Sequence, residues 1–171
     1  ADNVTFLNVK NVQSVMGDGA TSLLFNDGTA VLNHCTVKNC VSDYGYTLFN
    51  RAGTMDISKC TIQGNTGGAA AGNGGKIFVH NNTLIQGNTM AAKYKEKNYK
   101  GASNGGLVAQ KGCTMYLYGT VTVSKNASVV SGGGMHVMGT VLAGYNPDGS
   151  AVVSKLVFQE NKSERYGGGI G

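Results

Sequence analysis

Two short patterns return along the chain, and together they leave few folds open. One is an apolar residue shortly before an asparagine. It reads Ile62-Gln63-Gly64-Asn65, Ile85-Gln86-Gly87-Asn88, Val123-Ser124-Lys125-Asn126 and Phe158-Gln159-Glu160-Asn161, with shorter forms at Val9-Lys10-Asn11 and Val37-Lys38-Asn39. The other is a glycine that opens a strand-like run. It reads Gly28-Thr29-Ala30-Val31, Gly53-Thr54-Met55-Asp56, Gly75-Lys76-Ile77-Phe78, Gly112-Cys113-Thr114-Met115 and Gly139-Thr140-Val141-Leu142. Markers that recur at roughly this spacing signal a repeat architecture, in which each unit is one supersecondary element.

Within each unit the apolar residues alternate at period two, as in a strand with one inward face. Met55 and Ile57 align with Ile77 and Val79, then with Met115 and Leu117. A second run pairs Cys35/Val37 with Cys60/Ile62, Thr83/Ile85, Val121/Val123 and Leu156/Phe158. A third holds Leu24-Phe25, Leu48-Phe49, Ala69-Ala70-Ala71, Leu107-Val108, Met135-His136-Val137 and Gly169-Ile170. Composition agrees. Glycine at 27 residues disfavours helix, and a charged fraction of only 13% disfavours disorder.

Three short strands per unit cannot bury their own apolar faces, so the units must stack. The expectation is an all-β, right-handed parallel β-helix of about six coils with three short strands each. The hand follows the crossover preference of parallel strands. The asparagines then fall at turns, where an amide that both donates and accepts could form a ladder with its copies in neighbouring coils.

With these residues in view, the chain resembles the GG[AG][ILV] and FxxN repeats of polymorphic outer-membrane proteins and related adhesin-like parallel β-helix proteins. The first half of the motif is matched at Gly68-Ala69, Gly106-Leu107, Gly134-Met135 and Gly169-Ile170, the second at Phe158-x-x-Asn161 and its equivalents. It departs at Val9 and Val37, where the spacer is one residue short. The resemblance implies a pectin-lyase-like solenoid and an adhesin or structural stalk, located outside the cell or on a bacterial cell surface. The last residues fall inside a signature, so residues 1–171 are expected to form a single β-helix domain within a longer surface protein.

The net charge is +5, and part of the excess lies in Lys93-Tyr94-Lys95-Glu96-Lys97-Asn98-Tyr99-Lys100. Alternation points Val31, Asp56, Phe78 and Tyr116 outward in one column and Asn33, Ser58, His80 and Tyr118 in the next. Aromatic rings with a polar tip suit stacking on sugars. The expected ligand-binding set is therefore Phe78, His80, Tyr116 and Tyr118 with Lys93, Tyr94, Lys95, Tyr99 and Lys100. Its partner would be an anionic glycan or a host-surface protein. Unpaired strand edges at the two ends would be met by flanking coils of the same parent chain or by end-to-end self-association into a filament or scaffold.

The alternative class is a polysaccharide lyase or glycoside hydrolase, which needs clustered carboxylates. Asp56 is the one acid clearly inside a first-strand run, and it reads as a lone surface residue, so no catalytic residue is assigned. The glycine-rich stretch from Gly72 to Ile77 lacks both a third spaced glycine and the Ser/Thr of a phosphate loop, so no nucleotide is expected. His34, His80 and His136 occupy different slots, and no C-x-x-C pair exists, so neither a metal nor another cofactor is expected. Cys35 and Cys60 share a slot and read as stacked reduced thiols, with a disulfide as the alternative. Cys40 and Cys113 receive no role. No run of apolar residues is long enough to span a membrane as a helix.

Overall fold

β-Branched and apolar residues at alternate positions, punctuated by glycine and asparagine, give short strands separated by tight turns. The computed structural model describes residues 1–11, 22–43, 45–90 and 104–171, and these contain no helix. The first sheet is 5-stranded and contains Thr29–Asn33, Thr54–Ser58, Gly75–His80, Cys113–Tyr118 and Thr140–Ala143. The second is 6-stranded, from Thr5–Leu7 through Thr36–Lys38, Thr61–Gln63, Thr83–Gln86 and Thr120–Ser124 to Lys155–Gln159. The third is 5-stranded, with Leu24–Asn26, Leu48–Asn50, Ala70–Gly72, Leu107–Ala109 and Met135–Val137. Every pairing in the three sheets is parallel, and the chain visits the sheets in rotation.

Register places like on like. Ala30, Met55, Ile77, Met115 and Val141 form one column, and Phe6, Val37, Ile62, Ile85, Val123 and Phe158 form another. The middle members of both columns are fully buried. In the third sheet Ala70 lies between Leu48 and Leu107, so a small residue relieves two large neighbours. Each unit thus contributes a slice of one continuous interior, and burial of such apolar area is the main stabilising term.

The predicted amide ladder exists. Asn65 Nδ2 donates to Asn88 Oδ1 at 2.9 Å, Asn88 Nδ2 to Asn126 Oδ1 at 3.0 Å, and Asn126 Nδ2 to Asn161 Oδ1 at 3.0 Å. The second amide hydrogen of each goes to a carbonyl of the preceding unit, on Val37, Ile62, Ile85 and Val123 in turn. The backbone N–H groups of Asn65, Asn88 and Asn126 also donate to the next asparagine's Oδ1. A second pair, Asn26 Nδ2 to Asn50 Oδ1 at 2.6 Å, closes the third sheet.

Three expectations about slots need correction. Phe6 pairs with Val37 and Lys10 with Val41, so Val9 and Cys40 occupy the ladder column, not Asn11 and Asn39. Cys40 N–H donates to Asn65 Oδ1 at 2.9 Å, as an asparagine there would. Asn39 is instead a turn residue at φ 54°, one of a column with Asn8, Gly64, Gly87, Lys125 and Glu160 that all have positive φ. In the first sheet Cys113, not Gly112, pairs with Gly75. Its thiol fills the space beside Gly72, where a Cβ would collide with Cys113 Sγ.

All four cysteines are free and buried. Cys35 N–H donates to Cys60 Sγ at 3.4 Å and Cys60 N–H to Thr83 Oγ1 at 3.4 Å, so thiol and hydroxyl continue one turn column. Burial pushes the Cys60 and Cys113 thiols up to about 11.

Candidate functional site

The first sheet carries the densest outward-facing chemistry. Its register runs Val31, Asp56, Phe78, Tyr116 and Leu142 in one column and Asn33, Ser58, His80 and Tyr118 in the next. Parallel strands lie about 4.8 Å apart, so large rings in one column must lean on each other. Phe78 and Tyr116 meet with centroids 4.9 Å apart and planes tilted by 35°. His80 and Tyr118 stack at 4.5 Å with planes 17° apart.

This contact changes the picture of exposed rings. Phe78 and Tyr116 each keep only 8% of their surface, because each hides a face of the other and the flanking members of the stack cover more. The accessible part of the cluster is half-buried His80, Tyr118 and Asp56. Lys93, Tyr94, Lys95, Tyr99 and Lys100 lie outside the described residues.

Asp56 is not a lone surface acid. Its Oδ1 lies 2.9 Å from His80 Nε2. The two are diagonal neighbours, since Asp56 pairs with Phe78 and His80 lies two residues further on the same face. Diagonal pairs on one face of a sheet come within reach of long side chains. That spacing was available in the sequence once the units were aligned. His80 Nδ1 is buried with no hydrogen-bond partner among the described residues. Burial, and then the negative charge of Asp56, raise the Tyr118 phenol above its ordinary value. The group therefore offers a neutral phenol, an imidazole face and a carboxylate side by side.

Two further groups went unnoticed in the sequence. Ser131 Oγ lies 2.8 Å from His136 Nδ1, and burial lowers the His136 pKa from its ordinary value. Arg51 forms an ion pair with Asp27 and lies over the Phe25 ring, 5.1 Å from its centroid. The first is a contact within one turn of the chain, five residues apart, and the second joins neighbouring units that no local motif brings together. Among the described residues no set of three His, Cys, Asp or Glu side chains is placed to hold a metal ion, and no helix is long and apolar enough to cross a membrane.

No known family matches the chain, and neither a curated protein nor a solved structure shows significant similarity to it.

Proposed function

We propose that the three sheets are the faces of a right-handed parallel β-helix of about six coils, and that the chain is a stalk-like element of an extracellular surface protein. Its role is to hold a contact face away from the cell and bring it against a glycan or host surface. The observation that carries the reading is the continuous ladder from Asn65 to Asn161. A ladder that repeats the same bonds through four successive units favours an extended, rigid object over a cleft built for chemistry.

The contact face is the rim of His80, Tyr118 and Asp56, where a sugar ring can lie against flat side chains and hydrogen-bond to the phenol. A basic overall balance favours an anionic polymer. Heparin retention is the test: Tyr118→Ala should weaken it several-fold while the chain stays folded, with only the modest loss of stability expected from one aromatic stack. Undiminished retention would remove the contact face from the proposal. Unsaturated or reducing-end products from the same polysaccharide, lost in Asp56→Asn, would favour the polysaccharide-cleaving alternative instead.

A further inference from the structure

The corner where the first sheet turns into the second changes character at one unit. Residues 34–35, 59–60, 81–82 and 119 form it in four successive units, and residues 144–154 form it in the next. Leu117 pairs with Ala143 and Thr120 with Lys155, so by register Gly144 stands beside Tyr118 and Ser154 beside Gly119. Residues 145–153 are therefore an insertion with no counterpart in the unit before. The insertion lies between two paired strands, and it begins and ends against the residues around Tyr118.

Its own sequence builds it into a hairpin. Asn146-Pro147-Asp148-Gly149 is a turn sequence, in which proline presets φ at the second position and Gly149 takes φ 85° at the fourth. Gly149 N–H donates to Asn146 O and Asn146 N–H to Ser150 O, both at 2.9 Å. Asp148 Oδ1 accepts from the Ser150 N–H at 2.8 Å and from its hydroxyl at 2.6 Å. Below the turn Tyr145 pairs antiparallel with Ala151. At the root, Gly144 N–H donates to Leu117 O and Gly144 O accepts from Val152 N–H, each at 2.8 Å. Gly119 N–H donates to Ser154 Oγ at 3.0 Å, and Gly119 O accepts from Lys155 N–H at 2.8 Å. Both legs are thus tied to the strand end that carries Tyr118.

The fold does not require this hairpin, because four other corners turn without one. Ordering it costs conformational entropy, and a two-stranded hairpin is marginal by itself. Insertions confined to one unit of a solenoid are where binding residues concentrate. This one stands at the edge of the face that holds Asp56 and the His80–Tyr118 stack. A flat face touches a sugar from one side, whereas a wall at its edge adds a second. Tyr145 is the hairpin's aromatic residue, and it leaves the sheet one position past Gly144.

We propose that the hairpin is the second wall of the glycan site and that Tyr145 is a specificity-determining residue in it. One sugar unit of the anionic polymer lies with its face on the His80–Tyr118 stack and its edge against the Tyr145 ring. This inference rests on the glycan-contact reading of that face.

The test is heparin affinity of the whole chain and three variants. Tyr145→Ala should weaken binding about fivefold, the worth of one aromatic contact, with melting unchanged. Deletion of residues 145–153 with Ser154→Gly gives the corner the length it has at Tyr118-Gly119-Thr120, with glycine where Gly119 takes φ 63°. That variant should bind at least as weakly as Tyr145→Ala, and if it does not fold, Tyr145→Ala decides alone. Tyr118→Ala combined with Tyr145→Ala should lose less than the product of the two single losses, because both rings hold the same sugar. Undiminished binding by Tyr145→Ala, or losses that simply multiply, would overturn the proposal. If Tyr118→Ala weakens heparin and the hairpin variants do not, the second wall alone fails. If Tyr118→Ala also binds undiminished, the contact face fails and the wall with it.

Discussion

The asparagine column behaves differently in its middle and at its start, and the contrast isolates what the ladder does. In the middle, Asn88 and Asn126 each donate two bonds through the amide and accept two at Oδ1, while Asn65 donates two and accepts one, from Cys40 N–H. One unit earlier, Cys40 keeps the backbone bond to Asn65 Oδ1, but its thiol reaches Phe6 O only at 3.7 Å. One earlier still the slot is Val9. The same fold is therefore built with strong, weak and absent ladder chemistry. What all three slots share is the parallel register around them, so pairing and burial define the architecture while the amides add to it.

The contrast can be broken most severely in the middle. Asn88→Ala should destabilise the chain by about 2–3 kcal/mol, because it leaves the buried Asn65 amide and backbone donors without an acceptor. Asn161→Ala strands only the Asn126 donors, at the half-exposed end of the column, and should cost about 1 kcal/mol. Denaturant titration of the two variants measures the difference, and equal losses would mean the ladder is incidental. Cys40→Asn sharpens the comparison in the other direction. It should extend the ladder by one member and raise stability by about 0.5–1.5 kcal/mol, provided the amide finds Phe6 O.

The smallest effect separates the thiol slots from the amide slots by pH. Cys60 and Cys113 have folded-state values near 11, above the ordinary value of 9.0, because burial disfavours the thiolate. Their contribution is complete below pH 9 and is lost as pH rises from there toward 11. The asparagines do not titrate. Melting temperature should therefore fall over that alkaline window, and less steeply in Cys60→Val. Identical pH profiles for the two proteins would remove the thiol from the explanation.

Much of this was legible in the sequence, and particular residues show where legibility ended. Period-two alternation placed Met55, Ile57, Ile77, Val79, Met115 and Leu117 in the interior, where they lie. The Cys35, Cys60 and Thr83 column was also readable, because all three precede an alternating apolar residue by two positions. Asn39 was misplaced for a physical reason. Asparagine is favoured both in left-handed turns and as a ladder amide, and Asn39 is the first while Cys40 occupies the position of the second. Asp56 was read as isolated because its partner His80 is 24 residues away and meets it only across two strands.

The sequence by itself determined which residues face inward, how often the chain turns, and that the units must share an interior. All three follow from local alternation and from the inability of so short a unit to bury its own surface. Only the tertiary structure decided which of two adjacent residues joins the ladder, which outward rings are covered, and which acid meets which base. The first choice depends on a one-residue offset between neighbouring units, and the other two on contacts across strands far apart in sequence. An offset of that size reverses the direction of a side chain without changing the composition that a sequence displays.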